Sequence, residues 1–275
     1  MEFLVDYFST IPSSHRALLL AGGIAFFWLA ESAVPLFRFS YQKWQHAGIN
    51  LFFTATTIVV NFSLAFLLLQ TAAYVTNHRI GLLQMIPEIP LWLFALAGLL
   101  LLDLIGAYAA HYFEHRIPVL WRFHLVHHTD TWIDTTTANR HHPGESVIRF
   151  VFTLAGVVLT GAPMWLVFLY QSLSVVLSQF NHANISLPEK VDTALSLLLV
   201  SPNMHKVHHH YKLPYTDSNY GNIFSIWDRL FGTFRYLKPG DIVYGVDTHP
   251  DPREHNRLAN LLQIPLQPRR KPSAE

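Results

Sequence analysis

The chain of 275 residues contains no cysteine and has few charged residues. Without cysteine it forms no disulfide, no thiolate metal site and no cysteine-ligated iron–sulfur cluster. Charged residues make up 13% of the sequence and hydrophobic residues 51%, with a formal net charge of +1. Because soluble domains carry roughly 25% charged residues, this depletion indicates a membrane protein. No basic run is interleaved with aromatic residues, so we expect no nucleic acid partner.

Four apolar stretches are long enough to cross a bilayer. They cover residues 17–36, 51–75, 89–110 and 147–180. The fourth is interrupted by Gly161-Ala162-Pro163 and is either one kinked span or a helical hairpin. We favour the hairpin because it returns the chain to the same membrane face and keeps the histidines that flank this stretch together.

The lysine and arginine residues of short loops set the expected orientation. They are concentrated after the third span and at the C-terminal Arg269-Arg270-Lys271. The N-terminus is therefore expected outside, and the histidines and C-terminus in the cytoplasm. We expect an all-α integral membrane protein with about four transmembrane or re-entrant helices and a cytosolic cap. Its expected parts are N-terminal membrane helices (1–90), a histidine-containing region of helices and cap (91–236) and a loosely structured cytosolic tail (237–275).

Three histidine clusters lie between residues 111 and 209. On a helix, spacings of three and four residues place side chains on one face, so each cluster presents two or three imidazoles to one place. Eight imidazoles are more than a single zinc ion uses, and a dinuclear metal site accounts for them. The members are His111 and His115; His124, His127 and His128; and His205, His208 and His209.

Other histidines are weaker ligand candidates. His182 follows the fourth apolar stretch and is expected at the same membrane depth, either as a ligand or as an interfacial histidine. His142 is a possible additional ligand, and Arg140 and Glu145 in the same segment are expected either to orient ligands or to bind a partner. We expect five further histidines at the surface; these are His15, His46, His78, His249 and His255.

Asp103 precedes the first cluster and lies in an apolar span. Asp103, Ala107, His111 and His115 follow one another at steps of four residues, so they share a helix face. A carboxylate inside a span is costly and usually functional. Two roles are open: accepting the outer N–H of a ligating histidine, or bonding to a polar residue of another helix such as Asn61.

The motifs resemble those of the fatty acid hydroxylase superfamily, which includes sterol desaturases, sterol methyl oxidases, sphingolipid and fatty acid hydroxylases and alkylglycerol monooxygenase. The likeness is strong over about residues 100–236. Besides the histidine clusters it rests on Asp103, the Arg140-x-His142-Pro143-x-Glu145 element, His182-Ala183-Asn184, Asn219-Tyr220-Gly221, Trp227-Asp228 and Phe231-Gly232-Thr233-Phe234.

The resemblance implies a catalytic domain with a di-iron centre that uses O2. Spacing alone leaves zinc, copper, nickel and iron open. The implied ligands are His111, His115, His124, His127, His128, His182, His205, His208 and His209, and the implied residues around them are Asp103, Arg140, Glu145, Asn184 and Asn219. Some members carry a further ligand four residues before His182. This chain has Ser178 there, so we expect nine ligands rather than ten.

The implied reaction is hydroxylation, or desaturation, of an unactivated C–H of a lipid that enters from the bilayer. The chain has no dinucleotide fingerprint, flavin motif or fused cytochrome. An external donor is therefore expected, either ferredoxin or cytochrome b5 with its reductase, docking on the cap near Arg140 and the basic tail. The lack of a fused cytochrome favours a bacterial-type member in the inner membrane.

Two other functions remain open. A membrane metal transporter is disfavoured because transport sites lie near the bilayer midplane, whereas these clusters lie at span ends and in polar segments. A non-catalytic lipid-binding relative would keep the same fold. We favour hydroxylation over desaturation, and the sequence does not identify the lipid.

Overall fold

The computed structural model describes residues 1–270. Within these residues α-helices are joined by short 3-10 turns and loops, and no β-strand forms. The helices are α1 (Glu2–Ser9), α2 (Ser13–Ala33), α3 (Lys43–Asn77), α4 (Leu91–Asp103), α5 (Ala110–Arg116), α6 (Pro118–His128), α7 (Pro143–Thr160), α8 (Met164–His182), α9 (Glu189–Leu195), α10 (Pro202–His208), α11 (Ile226–Leu230) and α12 (Leu258–Gln263). The all-α prediction is confirmed.

Four helical segments are long and apolar enough to cross a membrane: Ser13–Ala33, Lys43–Met85, Leu91–Arg116 and Pro143–Thr160. The first three overlap the first three apolar stretches of the sequence. Only 11–33% of each apolar window is buried inside the protein, so most of these apolar side chains point outward. Side chains of this kind are stable against lipid rather than water, and the protein is therefore an integral membrane protein.

The fourth apolar stretch forms two helices rather than one kinked span. Helix α7 ends at Thr160, Gly161 adopts the left-handed conformation with φ of 70°, and α8 begins at Met164. A Cβ at Gly161 would lie 2.2 Å from the Ile80 carbonyl oxygen, so both the conformation and the close approach require glycine. The start of α7 and the end of α8 both reach the histidines, so the predicted hairpin forms.

The membrane-spanning helices and α8 pack together as a helical base, and the histidines lie at one of its two ends. Near its start, α2 packs against the start of α8, where Arg16 lies over the Phe168 ring. Near its end, Glu31 accepts hydrogen bonds from the backbone N–H groups of Thr135 and Asn184, close to the histidines. The start of α2 and the histidines are therefore at opposite ends of the base.

The C-terminal segment packs against the cap. Leu261 and Ile264 are buried with Phe53, Leu125 and Val126 in one apolar cluster. The described part of the segment expected to be a loosely structured tail consists of loops, short 3-10 turns and one short helix, α12. Burial of α12 holds this proline-rich segment against the cap; Lys271 lies outside the described residues.

Candidate metal centre

The nine candidate ligands come from α5, α6, α8 and α10, with His209 directly after the end of α10. In each His-x2-His-His triplet the two residues four apart point within about 40° of each other and join one group, whereas the middle histidine points about 100° away from its neighbour and joins the other. Two groups result, and within each the nearest ring nitrogens all lie within 4.8 Å of one another. The five-histidine group is His111, His115, His124, His128 and His208; the four-histidine group is His127, His182, His205 and His209.

The spacing of ring nitrogens in the five-histidine group fits a metal ion. The Nε2 atom of His124 lies 3.1 Å from Nε2 of His111 and 3.1 Å from Nε2 of His128. Nitrogens bonded to one ion at about 2.1 Å lie roughly 3 Å apart. The Nε2 atoms of His115 and His208 are buried, and in the described part of the chain they have no hydrogen-bond partner. An ion would satisfy both.

The four-histidine group has the same nitrogen spacing. The Nε2 atom of His182 lies 3.2 Å from Nε2 of His127 and 3.0 Å from Nε2 of His205. The Nε2 atoms of His205 and His209 are 3.3 Å apart. The two groups are adjacent, with the His128 and His209 rings stacked at 4.8 Å between centroids. The donor set therefore fits two neighbouring metal ions.

The environment keeps the cap histidines neutral. Burial, followed by neighbouring imidazoles, lowers the pKa of His127, His128, His205 and His209 well below the ordinary value. A neutral imidazole has the free lone pair that a metal needs. The site is therefore in the protonation state that binds a metal at neutral pH.

Most outer nitrogens of the five-histidine group are hydrogen-bonded. The pairs are His111 Nδ1 with the Tyr220 carbonyl (2.9 Å), His115 Nδ1 with Asp217 (3.1 Å), His124 Nδ1 with Glu145 (2.8 Å) and His208 Nδ1 with the Ser218 carbonyl (2.6 Å). Such bonds fix the tautomer so that Nε2 faces the ion. The sequence indicated Glu145, but not Asp217 or the two carbonyls.

Glu145 belongs to a buried charge network that the sequence did not reveal. Arg149 Nε donates to Glu145 Oε1 at 3.0 Å, and Arg149 Nη2 donates to Glu114 Oε2 at 2.7 Å. Both carboxylates are fully buried. Two spacings in the sequence are compatible with this network: Glu114 follows His111 by three residues, and Arg149 follows Glu145 by four.

Of the two roles expected for Asp103, contact with a histidine does not form among the described residues, whereas bonding to a polar residue of another helix does, with Trp227 of α11 in place of Asn61. The Asp103 carboxylate accepts hydrogen bonds from the backbone N–H groups of Ile223 and Phe224 and from Trp227 Nε1. A π-helical turn, Leu104–Ala109, separates Asp103 from the histidines of α5. Asp103 therefore holds the loop whose Tyr220 carbonyl contacts His111, rather than contacting a histidine itself.

Arg140 is buried, so it offers no docking surface for a partner. Its guanidinium donates to the Val126 carbonyl at 3.1 Å, to Asn50 at 3.1 Å and to the His255 carbonyl at 2.9 Å. These bonds join the histidine-bearing α6 to α3 and to the C-terminal segment. The expectation that Arg140 orients ligands holds only indirectly, through α6.

His142 lies outside both histidine groups. Its Nδ1 atom accepts a hydrogen bond from the Gly144 N–H at 3.0 Å and caps the N-terminus of α7. The neighbouring His141 is nearer the centre, with its ring 5.0 Å from the His127 ring. The motif Arg140-x-His142-Pro143-x-Glu145 pointed to His142 and gave no indication of His141.

The two asparagines hold backbone rather than histidines. Asn184 donates to the Phe37 carbonyl at 2.7 Å and ties the segment after α2 to the end of α8. Asn219 donates to the Met204 carbonyl at 2.8 Å, next to His205 on α10. Both therefore position the chain around ligands without touching an imidazole.

Three histidines expected at the surface are buried: His46, His249 and His255. His46 Nε2 lies 2.8 Å from Asp130, and its Nδ1 lies 3.2 Å from Asp134. This cluster joins α3 to the loop after α6. His15 and His78 are exposed, as expected.

Comparisons with known proteins agree with this site. The fatty acid hydroxylase family model matches residues 95–233. An ornithine lipid hydroxylase of Rhizobium tropici is 29% identical over 129 residues, covering 47% of this chain and 38% of that protein. An alkylglycerol monooxygenase of Danio rerio is 34% identical over 147 residues, covering 53% of this chain and 31% of that protein.

A third relative matches over most of its length. Methylsterol monooxygenase 2-2 of Arabidopsis thaliana is 25% identical over 252 residues, covering 86% of this chain and 92% of that protein. No solved structure matches the chain. The site is that of a histidine-rich membrane protein with room for two metal ions. The family match spans half of the chain and includes every histidine of both groups, so this chain belongs to the fatty acid hydroxylase family.

Proposed function

We propose that this protein is a di-iron, O2-dependent enzyme that hydroxylates an unactivated C–H of a membrane lipid. The observation that carries the proposal is the pair of histidine groups, whose nitrogens have metal-ligand spacing in a family whose matched relatives are named hydroxylases and monooxygenases. When bound, two iron ions would supply the activation of O2 that no amino acid side chain provides.

The protein contributes ligands, orientation and access for an apolar substrate. The five- and four-histidine groups would hold the irons, and the carboxylates of Glu145 and Asp217 orient two of the rings. Val147 and Val151 on α7 are exposed beside Glu145, and Phe113 on α5 is exposed beside the histidines. The apolar outer surface thus reaches the level of the metal centre, where a lipid can approach sideways from the bilayer.

The reaction needs two electrons from outside the chain. We infer a separate donor, ferredoxin or cytochrome b5 with its reductase, that docks on the cap. Because Arg140 is buried, the docking surface must be sought among other basic residues. Arg116 is exposed and lies 3.5 Å from Asp217, which contacts His115. Arg116 and Asp217 thus offer electrons a short path from a docked donor to the five-histidine group.

We also propose that the metal centre faces the cytoplasm, in a bacterial inner membrane. The proposal follows from the basic residues around the histidines. Because the chain has no cysteine, single cysteines at the exposed positions Phe3 and Arg257 can report sidedness. A membrane-impermeant maleimide should label Phe3→Cys but not Arg257→Cys in intact cells. The opposite pattern would place the centre outside.

The function is tested by comparing lipids of cells that do and do not produce the protein. A gain of one oxygen in a lipid is expected, and a loss of two hydrogens would instead indicate desaturation. His127→Ala should abolish the change, whereas the matched variant His78→Ala, at an exposed histidine far from the centre, should not. An unchanged lipid profile, or metal uptake by vesicles in its place, would overturn the proposal.

A further inference from the structure

The two histidine groups differ in how firmly the protein holds their rings. In the five-histidine group the outer nitrogens of all members except His128 are hydrogen-bonded. In the four-histidine group only His182 has such a bond, to the Ser178 carbonyl at 2.7 Å. The outer nitrogens of His127, His205 and His209 are buried without a partner in the described part of the chain.

An outer hydrogen bond strengthens a histidine ligand in two ways. It fixes the tautomer and the rotation of the ring before the metal arrives, and it raises the basicity of the nitrogen that binds. Removing such a partner typically lowers metal affinity about 10- to 100-fold. Two partners in the five-histidine group, Glu145 and Asp217, are carboxylates. No histidine of the four-histidine group has a carboxylate within hydrogen-bonding distance among the described residues.

The number of donors points in the same direction. The four-histidine group offers one imidazole fewer than the five-histidine group. An ion held by four imidazoles has fewer bonds to break before it leaves than an ion held by five.

We propose that the two metal sites are unequal: the five-histidine group binds its ion first and retains it, while the four-histidine group binds weakly and exchanges. The inference rests on the proposed function only in taking the ions to be iron. At least about a 10-fold difference in release rate is expected, because several outer bonds separate the two groups. Asp217 is a positioning residue in this scheme, acting through His115.

The test uses the full-length protein in detergent micelles, loaded without oxygen with two equivalents of Fe2+. An excess of a colour-forming ferrous chelator is added, and release is followed by absorbance. One equivalent should leave at least about 10-fold faster than the other. Release of both equivalents in a single phase would overturn the proposal. This measurement needs no variant, so a folding defect does not affect it.

Variants show which histidine group gives the fast phase of iron release and which gives the slow phase. His205→Ala should remove the fast phase and leave one slow equivalent. Asp217→Ala, which removes the acceptor for His115 Nδ1, should accelerate the slow phase about 10- to 100-fold and leave the fast phase unchanged, while the exposed control Asp241→Ala should change neither. If Asp217→Ala alters only the fast phase, the assignment is wrong. A protein that oxidises lipid yet releases both irons together overturns the inequality alone, whereas one that binds no iron overturns the proposed function as well.

Discussion

The two ends of the helical base are held together by different physical means. At the metal end, buried charged groups such as Glu31, Asp103 and Arg140 bridge separate helices and loops. At the opposite end, Gly81 and Gly161 pack backbone against backbone, beside the buried apolar side chain of Leu83. The metal end depends on completed hydrogen bonds between buried groups. The opposite end depends on glycine, because a side chain at Gly81 or Gly161 would clash with the neighbouring backbone.

This difference matches the task of each end. A metal centre requires rings fixed in direction as well as in place, and directional hydrogen bonds supply that. A helical turn within the apolar base requires only close packing. Substitutions at the metal end should therefore disturb stability and metal binding together, whereas those at the opposite end should disturb stability alone.

The largest effect is expected for Arg140→Met. Methionine fills similar volume but leaves the Val126 and His255 carbonyls and Asn50 without their donor. It also removes the positive charge that lies 4.0 Å from the buried Asp130 carboxylate, and removing one partner of a buried ion pair costs about 3–5 kcal/mol. Chemical denaturation in detergent should show this loss, together with reduced iron content. The exposed control Arg253→Met should change neither stability nor iron content. An Arg140→Met protein with full stability and full iron content would refute the idea that buried hydrogen bonds hold the metal end together.

A smaller effect is expected for Asp103→Asn. The amide keeps one acceptor oxygen for the three donors from Ile223, Phe224 and Trp227. Leaving buried donors unsatisfied costs about 1–3 kcal/mol, measured by chemical denaturation. Because this loop carries the Tyr220 carbonyl that contacts His111, iron content should also fall. Loss of stability with full iron content would show that the loop does not support the metal centre.

Helix spacing predicted which histidines gather but not how they divide. The steps of three and four residues in the two triplets indicated shared helix faces, yet His127 and His208 each join the group that the other two members of their triplet do not. The break at Gly161 likewise indicated the hairpin. These features depend on local sequence, which determines helix geometry directly.

The partners of the histidines were not predictable in the same way. Asp217 and the carbonyls of Ser218 and Tyr220 come from a loop about 100 residues beyond His111 and His115. Their contacts are set by tertiary packing, which local periodicity does not contain. The same limit applies to Asp103: the sequence placed it in an apolar helix, but it did not predict the π-helical turn that follows or the loop that Asp103 meets.

At the opposite end, Gly161→Ala should lower stability without affecting the metal centre. Alanine is strained at φ of 70°, and its Cβ would clash with the Ile80 carbonyl oxygen. The expected loss is about 1–3 kcal/mol, combining the left-handed penalty with local displacement. Iron content per folded molecule, measured alongside denaturation, should remain that of the wild type. A drop in iron content would show that the two ends are coupled.

The smallest effect is expected for His142→Ala. This variant tests whether the metal centre extends to His142. His142 caps α7 through the Gly144 N–H and belongs to neither histidine group. Loss of a side-chain cap costs about 0.5–2 kcal/mol, and a modest shift in the denaturation midpoint should reveal it. Both iron equivalents should remain, with unchanged release rates, because no ligand is removed. Loss of one equivalent would instead make His142 a ligand and move the boundary of the metal centre to the first turn of α7.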